Sequence, residues 1–420
     1  MIPRSRRSPR SLRCNVLRSL VCAWALTTLA CGPNEIPAAQ LEVSDSAGVR
    51  ITTITATPES LTVWTLEPEP RRLLTGAETG DETAFAFIGP VKFLSNGGLV
   101  LGDVASGRLI LYDAQGKFLR FLGRRGDGPG EMRRLESVTV KQGDTLATFD
   151  PGLRRLSIWQ PDSGFLRSVN LADGGSLDSW PADAWPWQDS LIVVFQQLIT
   201  PQDSVPAGSG VRRWPMRAHL TLRDGHGVER QTSPTFDAMY TGLYDRGDTR
   251  LPFSNRPFAT LAPNRVYFGS GDTFELSWLD TAFRVAGIIR WPAKRERLTS
   301  AEVDSVRADA IALLSRRPLP PNPFAMNFAP EILPEFRPSI GRVFVDGEGR
   351  LWLERFEAMR MGAVQKPGNH WTILRDDGLP VAVLRLPALT RFEDVRGDEV
   401  VVVRRDSLDV QTVAVHRLRR

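Results

Sequence analysis

Residues 98–122 read GLVLGDVASGRLILYDAQGKFLRFL, and residues 144–169 read DTLATFDPGLRRLSIWQPDSGFLRSV. Laid over each other, Asp103 meets Asp150 at a period of 47 residues. Arg108-Leu109 then meets Arg155-Leu156, and Phe118-Leu119-Arg120 meets Phe165-Leu166-Arg167. Each copy holds three short apolar runs (LVLGD, RLILYD and KFLRFL in the first) parted by Gly, Asp and Ser. Short alternating runs with turn residues between them signal strand, turn, strand, and no helical period competes. A following Asp-x-x-Gly closes a hairpin, because Asp bonds its own backbone and Gly tolerates positive φ.

Fainter copies lie at 217–231, 265–290 and 393–418, and residues 342–356 and 370–386 look like two halves of one more. A sheet of three or four such strands cannot bury both faces alone. Copies stacked around an axis can, which predicts an all-β fold, a β-propeller with a short helical insertion. At roughly 45 residues per unit, the chain from residue 48 onward holds six to seven blades, and two long insertions favour six. Residues 48–75 either begin a blade or donate a strand to the last one and close the ring.

The charge is unevenly placed. The chain carries 53 Lys and Arg against 48 Asp and Glu, yet residues 1–30 hold six arginines and no Lys, Asp or Glu. The remainder has 47 basic and 48 acidic residues. A domain that grips nucleic acid carries its positive charge on the fold itself, so no nucleic-acid partner is expected. After the arginines comes LVCAWALTTLA, residues 20–30. It is shorter than the ~20 apolar residues of a membrane span and ends in small residues. Residues 1–30 therefore read as a signal peptide. Thr28-Leu29-Ala30-Cys31-Gly32 resembles the lipobox of bacterial lipoproteins, with Thr28 where that pattern prefers Leu. The resemblance implies lipid attachment at Cys31, a flexible tether over 31–40, and one propeller domain over 41–420. The expected place is exported, lipid-anchored in the bacterial outer membrane or the periplasm. Contact with the membrane is through the lipid anchor only. Cys14 and Cys22 leave with the signal, so no disulfide or cysteine metal site is expected in the body.

Between the two clear copies lies Gly123-Arg124-Arg125-Gly126-Asp127-Gly128-Pro129-Gly130-Glu131-Met132. It resembles the inter-blade segment of NHL-repeat propellers, G-x-x-G-x-G-P-G-x-F, with Met132 in place of the aromatic. A worn copy sits one period earlier at Gly80-Asp81. The opening Val43-Ser44-Asp45-Ser46-Ala47-Gly48-Val49 and the chain as a whole resemble the bacterial six-bladed β-propeller lipoproteins. The glycine loop lacks the Lys-Ser/Thr of a phosphate-binding P-loop, and strand-like runs flank it on both sides, so it reads as a structural turn.

Two stretches break the repeat. Residues 298–317 (LTSAEVDSVRADAIALLSRR) predict a helix. Thr299 and Glu302 form its capping box, Leu298 and Val303 its hydrophobic staple, and Pro318 its end. A proline-rich run carries this insertion to about residue 340. The other insertion, about 174–215, gathers Trp180, Trp185, Trp187 and Trp214 among Pro and Asp. Tryptophans beside acids stack on sugar rings or form interface hot spots, which makes Trp180, Trp185 and Trp187 the candidate binding surface.

No catalytic residue is assigned. His219, His226, His370 and His416 are scattered without metal-ligand spacing and read as surface or turn residues. No HExxH, GxSxG or nucleotide loop is present. The expected function is an envelope-anchored module that binds a protein, a small molecule or a glycan, and not an enzyme. The alternative is a metal-dependent hydrolase, lactonase or lyase. It would hold a divalent cation in the central channel through single residues from several blades, a pattern that leaves no local motif.

Overall fold

The structure is a computed structural model that describes residues 41–81, 85, 87–172, 179–198, 211–244, 247–292, 295–314, 328–358, 370–406, 408 and 410–420. The aligned repeats fold as the alternation demands. Leu99–Asp103, Arg108–Tyr112 and Phe118–Leu122 are three neighbouring antiparallel strands, and Ile88–Phe93 pairs in front of them to complete blade 1. Blade 2 repeats the arrangement with Ser137–Val140, Leu146–Asp150, Arg155–Gln160 and Gly164–Asn170. Asp103 and Asp150 each end the second strand and are buried. The Asp150 carboxylate accepts the N–H groups of Arg133, Arg134 and Leu153, so it holds the incoming inter-blade segment and the outgoing turn together.

Six such sheets make a six-bladed propeller. Blade 3 contains Ser179–Trp187, Ser190–Leu198 and Arg212–Arg223. Its outer side is shared by Glu229–Thr232 and Phe236–Tyr244. Blade 4 comprises Phe258–Ala262, Arg265–Gly269, Glu275–Leu279 and Val285–Arg290. Blade 5 comprises Ile340–Val345, Leu351–Arg355, His370–Leu374 and Pro380–Arg385, so the two half-copies do join. Blade 6 takes Thr390–Arg396, Glu399–Arg405 and Gln411–Arg419 from the C-terminus and Arg72–Leu74 from the N-terminus. The early segment therefore closes the ring.

It also does more than that. Val49–Ile54 adds in parallel to the outer strand of blade 4, and Thr62–Leu66 adds in parallel to that of blade 5. Residues 49–74 thus form a belt over three successive blades. The belt seats one buried apolar side chain at each interface it crosses. Ile54 enters the core between blades 4 and 5, Trp64 that between 5 and 6, and Leu74 that between 6 and 1. The interfaces between blades 1 and 2, 2 and 3, and 3 and 4 are filled by the blades' own side chains.

The glycine loop after blade 1 is a closed structural turn. The N–H of Gly128 is taken by the Glu131 carboxylate, 2.8 Å away, so the loop's anion-seeking donor is already satisfied by its own chain. Arg155 of blade 2 donates to the carbonyls of Asp127, Gly128 and Glu131. Met132, in the aromatic's place, is buried between blades 1 and 2. Gly107 approaches the loop at φ +63, and a Cβ there would stand 2.5 Å from the Met132 carbonyl oxygen, so only glycine fits.

The helix Ser300–Leu314, α1, starts with its capping box formed: Thr299 Oγ1 meets the N–H of Glu302, and the Glu302 carboxylate returns to the N–H of Thr299. Val303, Val306 and Ala310 pack with Phe253, Phe328 and Phe356, and Leu298 packs against that cluster. The segment expected as an insertion at 174–215 turns out to supply the first two strands of blade 3. Its prolines hid them. Pro181 and Pro186 lie in the innermost strand, which borders the channel and has a free edge. A missing N–H is tolerated at such an edge.

Candidate functional site

The innermost strands of the six blades surround a central channel of about 1430 Å³. Its lining follows from register. The second strand of every blade carries a buried apolar residue at its first or second position: Leu99, Leu146, Leu191, Val266, Leu351 and Val400. The residue after each pairs with Lys92, Thr139, Trp185, Thr260, Phe344 and Asp394 respectively. These six side chains, one per blade, occupy one level of the channel wall. Lys92 and Asp394 form an ion pair at 3.4 Å, and the Lys92 ammonium stands 5.7 Å from the Phe344 ring centroid. The Asp394 carboxylate also accepts the N–H of Phe93 at 3.0 Å, so the pair ties blade 6 to blade 1.

One step toward the mouth where the inter-blade segments enter, Ser137 pairs with Phe149 and Asp183 with Val194. Phe149 and Val194 stand at equivalent positions in adjacent blades, so Ser137 and Asp183 are neighbours. The Ser137 hydroxyl donates to Asp183 Oδ1 at 2.6 Å, and the Ala184 N–H donates to the same oxygen at 2.8 Å. A β-bulge between Pro181 and Asp183 sets the spacing. Because of it, Trp180, Asp183 and Trp185 pair with Gln196, Val194 and Ile192, alternate residues of the next strand. Burial pushes the Asp183 carboxyl up to about 7, the nearby Glu136 charge adds to this, and the two hydrogen bonds only partly offset it. A carboxyl so displaced inside a cleft marks a candidate functional position.

The three expected tryptophans reach the channel on unequal terms. Trp180 and Trp185 line it partly exposed. Trp187 is 5% exposed, packs between blades 3 and 4, and donates its indole N–H to the Ala262 carbonyl at 2.8 Å. Structural support is its main part. Cys31 and the tether lie outside the described residues.

Among the histidines, His226 sits in a turn and His370 is exposed, as expected, but His416 is buried. Its Nδ1 is 2.7 Å from the Glu67 carbonyl and its Nε2 is 2.6 Å from the Arg404 guanidinium. Burial lowers its pKa, which keeps the ring neutral: Nδ1 donates and Nε2 accepts. It pins the belt to the last strand. Among the described residues, no group of three or more His, Cys, Asp and Glu is placed to hold a metal ion.

Residues 77–176 match the model of the family DUF5128, described as a 6-bladed beta-propeller. No curated protein matches the sequence. Solved structures similar to this chain include a Bacteroides fragilis protein described as exported, at 11% identity, 86% of this chain, 100% of that one and a TM-score of 0.45. A member of the DUF4221 family from Bacteroides vulgatus is similar at 10% identity, 85% and 98% coverage and a TM-score of 0.44. A calcium-binding protein, regucalcin, from Agrobacterium tumefaciens is similar at 10% identity, 85% and 96% coverage and a TM-score of 0.39.

Proposed function

We propose that this protein is an exported, lipid-anchored propeller, carried on Cys31, that binds a small ligand in its central channel. The observation that carries the reading is the channel wall. It brings together one residue from each blade, two partly exposed indoles, and a carboxyl with a displaced pKa. Ligand pockets combine apolar and aromatic walls with a few convergent polar groups, and 300–1,000 Å³ is their usual size range. The channel, somewhat larger, leaves room for water or a bulky ligand.

The test is a thermal-shift screen of small amines, acids, sugars and glycan fragments on the wild type and on Trp180→Ala and Trp185→Ala. A ligand at a hundred times its Kd adds about 2.7 kcal/mol of stability, which raises Tm by a few degrees in a domain of this size. Hits that stabilise the wild type should lose their effect in one or both variants. Hits whose shift survives both replacements would place the binding site elsewhere.

A further inference from the structure

The charged groups of the channel are mostly answered by opposite charge. Lys92 has Asp394, Arg134 has Glu136 at 2.9 Å, Arg342 has Glu354 at 2.7 Å, and Arg396 has Glu399 at 3.4 Å. Asp346 has Arg350 at 2.7 Å. Lys141 donates to the Gln188 carbonyl, and Asp144 accepts both donors of Ser95. Asp183, like Asp144, is held by a hydroxyl and a backbone N–H, both neutral, but it differs in that both bonds go to one oxygen, Oδ1, whereas Asp144 has one on each. The charged groups of the same mouth are Glu136 with Arg134 ahead of blade 2, Arg154 of blade 2, Arg256 ahead of blade 4 and Arg342 of blade 5. Of these, only Glu136 acts appreciably on Asp183, and it acts in the direction that disfavours a second negative charge.

We propose that Asp183 makes this wall the receptor for an organic ammonium group on an apolar body, its carboxylate meeting the charge while the indoles of Trp180 and Trp185 cover the rest. The inference rests on the channel being the binding site. A cation placed there is drawn by Asp183, by the neighbouring Glu136 and by the faces of the two indoles. An anion at this point of the wall would meet Asp183 and Glu136, while Arg134 and Arg342 of the same mouth are engaged by Glu136 and Glu354. The seat is prepared: Ser137 and the Ala184 N–H hold Oδ1, and Oδ2 is left for the ligand.

Binding is then coupled to the proton on Asp183. With that carboxyl titrating at about 7, a ligand that needs the carboxylate binds about 30-fold more tightly at pH 8 than at pH 5.5. An alkylammonium stays charged over that range.

The experiment titrates the full-length wild type with phenethylammonium, with 3-phenylpropionate as the anionic counterpart and 2-phenylethanol as the neutral one. Tryptophan fluorescence and calorimetry are followed from pH 5.5 to 8. The expected result is preference for the ammonium, affinity rising through neutrality, and proton release on binding at pH 6. Asp183→Asn should flatten the pH profile and weaken ammonium binding at pH 8 by tenfold or more, with its fold checked by circular dichroism. Ser137→Ala keeps the carboxyl but removes a bond that favours its charged form, so it should move the binding midpoint upward. Equal or tighter binding of the acid or the alcohol, or a pH profile that survives Asp183→Asn, overturns the ammonium site and leaves the channel reading standing. Failure of all three probes overturns the ammonium site, while the broader screen described above decides the channel reading by itself.

Discussion

Asp183 should cost the fold stability at neutral pH, and Asp183→Asn should recover it. In the open chain the carboxyl titrates at the ordinary 3.8, and in the fold at about 7. Below 3.8 it is protonated in both states and contributes no difference. As pH rises from 3.8 to 7 the unfolded chain gives up its proton while the folded chain keeps it, so stability falls. Above 7 both are ionised and the loss is complete. A separation of this size corresponds to roughly 4 kcal/mol. Water entering the channel screens part of it, and about 2 kcal/mol is the expected gain for Asp183→Asn at pH 8, with almost none at pH 4. The amide can accept the same bonds from Ser137 and the Ala184 N–H, so the geometry is kept. Urea unfolding of both proteins at pH 4, 6 and 8 measures this directly. A variant that is no more stable than the wild type at pH 8, or whose advantage does not grow with pH, refutes the argument that the carboxyl is held uncompensated. Stability given up at one group is what a site poised for a ligand looks like.

Two further outcomes concern the architecture. Trp187→Ala should lower stability by about 3–5 kcal/mol, because it empties the core between blades 3 and 4 and leaves the Ala262 carbonyl without its donor; chemical denaturation with unchanged ligand affinity in the folded fraction is the check. Removal of residues 41–75 strips the buried Ile54, Trp64 and Leu74 from three successive interfaces. At about 2–5 kcal/mol for each anchor, the loss is comparable to the whole stability of a typical domain. The truncated chain should fail to show a cooperative thermal transition, and a sharp transition near the wild-type Tm would contradict the structural role of the belt.

Much of the fold is written locally in the chain. The alternation around Leu99–Asp103 and Leu146–Asp150, the 47-residue period, and the Thr299–Glu302 cap each depend on residues close in sequence, where strand, turn and capping preferences act directly. They determine an all-β repeat with one helix, and their number allows six blades. The belt is only half legible. Its strands alternate, but nothing near Ile54, Trp64 or Leu74 says that each will wedge between two blades whose residues lie up to about 360 positions away. Blade 3 was obscured by its prolines: Pro181 and Pro186 sit in a channel-facing edge strand and Pro215 at a bulge of a central one, the places where a sheet tolerates the missing N–H.

The site lies almost wholly beyond local reading. Lys92, Thr139, Trp185, Thr260, Phe344 and Asp394 share no motif, since each sits in a different blade and becomes a neighbour of the others only when the ring closes. Trp180 and Trp185 could be singled out by residue type, yet only packing separates them from the buried Trp187. The displaced titration of Asp183 has the same origin. A carboxyl's pKa depends on the dielectric and charges around it, and here those are set by a bulge, a serine from the preceding blade and the walls of the channel. The sequence determined the repeating unit, because hydrogen-bonded strands and turns are chosen by adjacent residues. Only the tertiary structure decided what faces the axis, because closure of six sheets brings together residues that the chain keeps hundreds of positions apart.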